Sequence, residues 1–135
     1  MSENILKIRD LSVNYHTDRG KLKALRHVNL DIPKGSIVGV VGESGCGKST
    51  LITSIIRQLD DNADIRNGLI EFEKQDLLKL SQDNMRNISG TKISIVFQNP
   101  MSTLNPVISI GRQMIDIQYR DKIVRRQKNN VRLIC

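Results

Sequence analysis

Apolar and polar positions alternate through the N-terminal part of the chain. Leu6 and Ile8 alternate with Lys7 and Arg9; the phase slips at Asp10, and Leu11, Val13 and Tyr15 resume it. A period of two predicts a strand with one buried face over residues 4–15, interrupted at Asp10. His16 to Lys23 is polar, with Gly20 as a turn residue, before Val28, Leu30 and Ile32 restore the period. Pro33-Lys34-Gly35 closes that second strand with a turn. Ser36–Val41 has a different character. Ile37, Val38, Val40 and Val41 form a continuous apolar run, which predicts a strand buried on both faces, as in a parallel sheet. Leu51, Ile52, Ile55, Ile56 and Leu59 then fall at helical spacing and predict a helix running to about Leu59.

Asp60-Asp61-Asn62-Ala63-Asp64 reads as a polar break, followed by a short strand over Gly68–Glu73 with Ile70 and Phe72 on one face. Asp76 is placed to cap a helical segment carrying Leu77, Leu78, Leu80, Met85 and Ile88, interrupted near Ser81 and ended by Gly90. Ile93, Ile95, Val96 and Phe97 predict another buried strand. The stretch Gln98–Pro106 holds two prolines and several cap-forming residues, so it reads as a loop. From Val107 a helix is expected, with Ile110, Met114 and Ile117 on one face. Strands alternating with helices, behind an N-terminal run of strands, predict an α/β nucleotide-binding core with an antiparallel sheet attached.

The chemistry is concentrated in Gly42-Glu43-Ser44-Gly45-Cys46-Gly47-Lys48-Ser49, a full match to G-x-x-x-x-G-K-[ST] between a predicted strand and a predicted helix. Gly42, Gly45 and Gly47 allow backbone conformations in which successive N–H groups turn inward on an anion. The helix that follows adds the partial positive charge of its N-terminus. Lys48 supplies a mobile charge for the β- and γ-phosphates, and the Ser49 hydroxyl is placed to ligate Mg²⁺. Glu43, Ser44 and Cys46 contribute backbone N–H groups. Glycine-rich turns between strands and helices are common; here the glycines, the lysine and the serine all fall at the required spacing.

Composition narrows the rest. The net charge of +7 suggests nucleic acid until it is located: residues 120–135 hold six basic side chains against Asp121 alone. With no aromatic stacking pattern beside them, this reads as a solvated segment, and no nucleic-acid partner is expected. Two Tyr, two Phe and no Trp leave an aliphatic core. Cys46 sits inside the phosphate loop and Cys135 is the last residue, so no disulfide framework is expected and a reducing setting fits. No apolar leader and no apolar run of about 18 residues is present, so any membrane role is expected to go through a partner.

The phosphate loop Gly42–Thr50, the upstream aromatic Tyr15 and the stretch Val96–Pro106 together resemble the ATP-binding subunit of an ABC transporter, in the branch of dipeptide and oligopeptide importers. The resemblance covers roughly residues 4–118. It implies a P-loop NTPase core of ABC type with an N-terminal antiparallel β-subdomain. Residues 1–118 would be the N-terminal part of the ATP-binding domain, and 119–135 a basic segment whose structure the sequence does not specify. It implies ATP and Mg²⁺ as cofactors, with Tyr15 stacking on adenine and Thr50 joining the phosphate loop. Gln98 would contact Mg²⁺ or its water beside Ser49 and would lead into a loop touching transmembrane permease subunits. Met101 and Leu104 would be contact residues in that loop. A sister ATP-binding subunit would complete the assembly on the cytoplasmic face of the membrane.

Where the chain departs from the family pattern is equally informative. After Gln98 the acidic residues are Asp116 and Asp121, and neither ends an apolar strand in Asp-Glu. Leu-Ser-Gly-Gly-Gln does not occur, and both histidines, His16 and His27, precede the phosphate loop. The expectation is a chain truncated before the catalytic strand, through a natural stop, a frameshift or fragmentation, that binds ATP without hydrolysing it. Two other readings stay open: a non-catalytic nucleotide-binding interaction module, and a different P-loop enzyme such as a small-molecule kinase.

Overall fold

In a computed structural model, residues 3–98 and 104–118 are described. The chain divides into two units, Met1–Ser94 and Ile95–Cys135. In the first, β1 (Asn4–Thr17) and β2 (Gly20–Pro33) form a long hairpin. β3 (Ala63–Phe72) pairs antiparallel with the other edge of β1, and the two-residue β4 (Gln75–Asp76) closes the order β2-β1-β3-β4. The register sets Ile8 between Leu30 and Ile70, and Val13 between Leu25 and Ile65. One sheet face thus carries Leu6, Ile8, Leu11, Val13, Leu25, Ile70 and Phe72. They pack with Leu51 of α1 (Lys48–Ile55), Leu77 of a 3-10 turn, and Met85 and Ile88 of α2 (Gln82–Ile88). Each such side chain, fully buried, contributes roughly 1.5–3 kcal/mol of apolar transfer.

The phase slip at Asp10 is a bulge inside one continuous strand. Asp10 is left-handed at φ 51, His27 on β2 at φ 48, and Gly68 on β3 at φ 131, so three neighbouring strands are kinked at one level. A bulge leaves backbone groups unpaired, and side chains take them over. The Asp10 N–H donates to Asn29 Oδ1 (3.0 Å), and the His27 N–H to Ser12 Oγ (3.0 Å). The Asp10 carboxylate bridges the kink, with His27 Nδ1 2.5 Å away on one side and the Asn67 amide on the other.

Asp76 caps as expected, accepting from the Leu78 N–H (3.1 Å) at the start of the 3-10 turn Leu77–Lys79; at the expected interruption, Ser81 accepts from the Asn84 N–H (3.3 Å) and starts α2. β2 and β3 are longer than their apolar patterns, because pairing with β1 draws in polar residues such as Lys21, Lys23 and Asp64. α1 stops short of the expected Leu59. Arg57 adopts φ 54, its N–H bonds Ser54 O, and the Gln58 N–H bonds Thr53 O, a Schellman ending without glycine. The Arg57 guanidinium explains the choice of residue: it donates to Leu80 O (2.6 Å) and Leu77 O (3.3 Å), fastening the helix end to the next turn.

Two expected strands do not form among the described residues. Residues 36–43 are in no regular element; Ile37 and Val41 are fully exposed, and Val38 and Val40 about half so. Ile93 makes an isolated bridge to Ser89, while Val96 is 90% exposed and Phe97 46%. The run Ser36–Val41 has the composition of a central parallel strand, but a strand exists only where neighbours accept its N–H and C=O groups. Among the described residues no strand flanks it. Replacing Ile37 or Val41 by Ser in the 135-residue chain is therefore expected to change unfolding free energy by no more than about 0.5 kcal/mol. A buried strand position would lose roughly 2–5 kcal/mol. Urea unfolding of the two variants separates the cases, and a loss above about 2 kcal/mol would show that the run is packed.

In the second unit, α3 (Ile110–Gln118) begins three residues later than the pattern suggested. The turn before it is tied by the Gln113 side chain, which accepts from the Asn105 N–H (2.9 Å) and donates to the Asn105 and Ile108 carbonyls. Val107, Ile110 and Met114 are exposed, and the side chain of Ile117 lies outside the described residues. Residues 99–103, with the expected contact residue Met101, and the basic segment 119–135 also lie outside them. No helix among the described residues is long and apolar enough to cross a membrane.

Candidate functional site

The phosphate-loop motif folds as a loop over residues 42–47 that runs straight into α1. Gly47 is the N-cap of α1, at φ 97, and provides no side-chain cap. The first intrahelical bond is from the Leu51 N–H to Gly47 O (2.9 Å), so the N–H groups of Lys48, Ser49 and Thr50 are left at an uncapped helix start. That is the donor array an anion needs. The loop is closed on itself by Lys48, whose Nζ donates to Gly42 O (2.7 Å) and Glu43 O (2.5 Å) and lies 3.3 Å from Cys46 Sγ. A Cβ on Gly42 would come within 2.7 Å of that sulfur, so another residue there would have to displace the Cys46 side chain.

Gly47 does more than the motif requires. A Cβ there would stand 2.8 Å from Ala24 O and 2.9 Å from Leu25 Cδ2, so the loop is seated directly on β2. The motif's spacing marks Gly47 as a glycine, but its contact surface on β2 could not be read from the sequence. The seat has a consequence for Tyr15. Leu25 pairs with Val13, and Tyr15 follows Val13 by one alternation, between Leu22 of β2 and Ala63 of β3. Tyr15 therefore shares the sheet face on which the phosphate loop rests, and it is half-buried.

The predicted residues fall in two groups. Tyr15 and Gly42–Thr50 are both in the first unit, joined through the β1–β2 hairpin; Gln98 is exposed and belongs to the second unit. Leu104 is also exposed, in the second unit. A hollow of about 700 Å³ lined by Arg57, Asp60, Asp61, Arg66 and Asn67 contains none of the predicted site residues. Among the described residues no group of three or more His, Cys, Asp or Glu side chains could hold a metal ion on its own.

A Lys-bearing glycine loop opening a helix, docked on an antiparallel sheet, defines the phosphate-binding end of a nucleotide-binding cassette. The family profile described as ABC transporter matches residues 25–134, and the chain belongs to that family. Dipeptide transport ATP-binding protein DppD of Lactococcus lactis subsp. cremoris is 39% identical over 84% of this chain and 33% of its own length. DppD of Bacillus subtilis is 40% identical over 89% of this chain and 36% of its own length. Oligopeptide transport ATP-binding protein OppD of Mycoplasma genitalium is 42% identical over 85% of this chain and 28% of its own length. The chain thus spans about a third of these relatives. A solved dimer of a bacterial ABC transporter cassette superposes with a TM-score of 0.66 at 28% identity, covering 77% of this chain and 42% of that one. The fold is that of the ABC cassette, and the family binds nucleotide.

Proposed function

We propose that the chain carries the ATP-contacting N-terminal part of the ATP-binding subunit of a bacterial peptide importer. The observation that carries this reading is the closed loop Gly42–Ser49 at an uncapped helix start, in a chain of the ABC family. Bound ATP would bring its phosphates to the N–H groups of the loop. Lys48 would exchange the Gly42 and Glu43 carbonyls for phosphate oxygens, a trade of neutral acceptors for charged ones. Tyr15 would present its ring to adenine. Ser49 would be an oxygen ligand to Mg²⁺, which neutralises phosphate charge when bound. The relatives' names supply the solute class, peptides. The segment Gln98–Pro106 would meet the transmembrane permease subunits, and a sister ATP-binding subunit would face the nucleotide, which places the chain on the cytoplasmic side of the membrane as a peripheral component.

The test is Mg-ATP binding by titration calorimetry together with thermal unfolding. Ligand at ~100 times its dissociation constant adds about 2.7 kcal/mol to the folded state, a clear rise in melting temperature. Lys48→Ala removes a charged hydrogen-bond donor worth about 1.5–3 kcal/mol, so affinity should drop roughly tenfold or more. A wild-type chain that shows neither heat nor a shift at millimolar Mg-ATP would overturn the proposal.

A further inference from the structure

The last residues of β1 are held by a cluster that the phosphate site does not use. His16 Nε2 lies 2.7 Å from Asp64 Oδ1, and a carboxylate can only accept, so Nε2 carries the hydrogen. Asp64 Oδ2 is 3.6 Å from Arg66 Nη1 on its other side. The His16 N–H donates to Asn62 O (2.7 Å), and Asn62 Nδ2 returns a bond to His16 O (3.2 Å). His16 is thus clasped to the start of β3 by its backbone N–H, its carbonyl and its ring.

Its neighbour in sequence is Tyr15. Successive side chains of a strand point to opposite faces, so His16 projects on the face away from Tyr15 and from the loop seat. It cannot touch a nucleotide lying against Tyr15. What it controls is the backbone that carries the ring. Beyond Tyr15 the hairpin turns at Asp18 and Arg19, and Thr17 Oγ1 donates to Gly20 O (2.7 Å), so β1 has two residues left, His16 and Thr17, before the turn. On the β3 side the ladder ends at the pair Tyr15 and Ala63, and the His16 clasp continues the tie one residue beyond it.

We infer that His16 and Asp64 are positioning residues that hold Tyr15 as the platform for the adenine ring. The inference rests on the reading of Tyr15 as the base-stacking residue. Asp64 orients His16, His16 anchors the strand end, and Tyr15 is presented at a fixed distance from the phosphate loop. Without the clasp the loop still binds phosphates, and the base contributes less.

The experiment compares ATP with inorganic tripolyphosphate on the full chain, each titrated with Mg²⁺ present. Wild type should bind ATP about tenfold more tightly than tripolyphosphate, because stacking adds to the phosphate contacts. His16→Ala and Asp64→Ala should each lower ATP affinity about fivefold and leave tripolyphosphate affinity unchanged. His16→Gln, which keeps an N–H for Asp64, should recover most of the loss. The chain has no Trp, so in a Tyr119→Phe background Tyr15 fluorescence reports stacking directly. ATP should quench it in wild type and less in His16→Ala. If His16→Ala does not fold, Asp64→Ala gives the same comparison. Equal losses for ATP and tripolyphosphate, or no loss for ATP, would overturn the inference. A Tyr15→Ala variant with an unchanged ATP preference would remove the stacking reading itself, and a wild type that binds neither ligand would remove the phosphate site.

Discussion

Gly47→Ala is expected to abolish detectable ATP binding and to cost the fold about 2–4 kcal/mol. Two penalties act at this position. A side chain at φ 97 is strained by about 1–2 kcal/mol wherever it occurs. The added Cβ would also stand 2.8 Å from Ala24 O and 2.9 Å from Leu25 Cδ2. The leucine methyl has some freedom, and the carbonyl is backbone of Ala24, the residue that β2 skips between its Lys23 and Leu25 pairings with β1. The loop must lift off the sheet, and α1, whose Leu51 is part of the core, lifts with it. Gly45→Ala is the control: its φ is 79, but nothing lies within 4 Å of an added Cβ, so it carries the backbone strain alone. Urea unfolding and ATP titration of the pair separate strain from seating. If both variants lose the same stability and the same affinity, the contact with β2 plays no part in the site.

Gly68→Ala should be the most damaging single-methyl addition in the sheet, with a loss of about 3–4 kcal/mol. The new Cβ would meet Leu11 Cα at 2.7 Å, with Arg9 O and Leu11 N at 3.1 Å, all of them backbone atoms of the central strand. Leu11 and Ile70 are fully buried, so neither β1 nor β3 can shift without opening the core. At φ 131 the residue is strained for any side chain in addition. Gly20→Ala shares the unusual dihedral, at φ 120, but stands in open space, and about 1 kcal/mol is expected there. A total stability of about 5–15 kcal/mol is usual for a domain, so the Gly68 variant should lose a large share of it. A midpoint in urea as little changed as that of Gly20→Ala would mean that the three-strand kink is soft.

The N-terminal strand with its slip at Asp10, the cap at Asp76, the break near Ser81 and the phosphate-loop motif from Gly42 to Ser49 are all legible from the chain alone. Each is set by contacts within a few residues or by a face pattern repeated along one element. Asp10 shows how far that goes. The change of phase in Leu6-Ile8-Leu11-Val13 locates the bulge, but His27, Asn29 and Asn67, which satisfy it, come from two other strands. Arg57 is similar: nothing in its surroundings in sequence announces a left-handed helix end, because the carbonyls that hold it belong to Leu77 and Leu80.

By itself, then, the sequence determined the nucleotide-binding motif, the antiparallel hairpin and the identity of the core face, since periodicity and local hydrogen bonding decide these. The tertiary structure alone decided which apolar runs become strands. Ser36–Val41 and Ile93–Phe97 read as buried strands by composition, yet among the described residues they stay unpaired. Apolar side chains make burial favourable, but a strand is completed only by the hydrogen-bonding edges of its neighbours. The same holds for the site: Gly47 is written in the motif, whereas its seat on Ala24 and Leu25 exists only once β1 and β2 have paired.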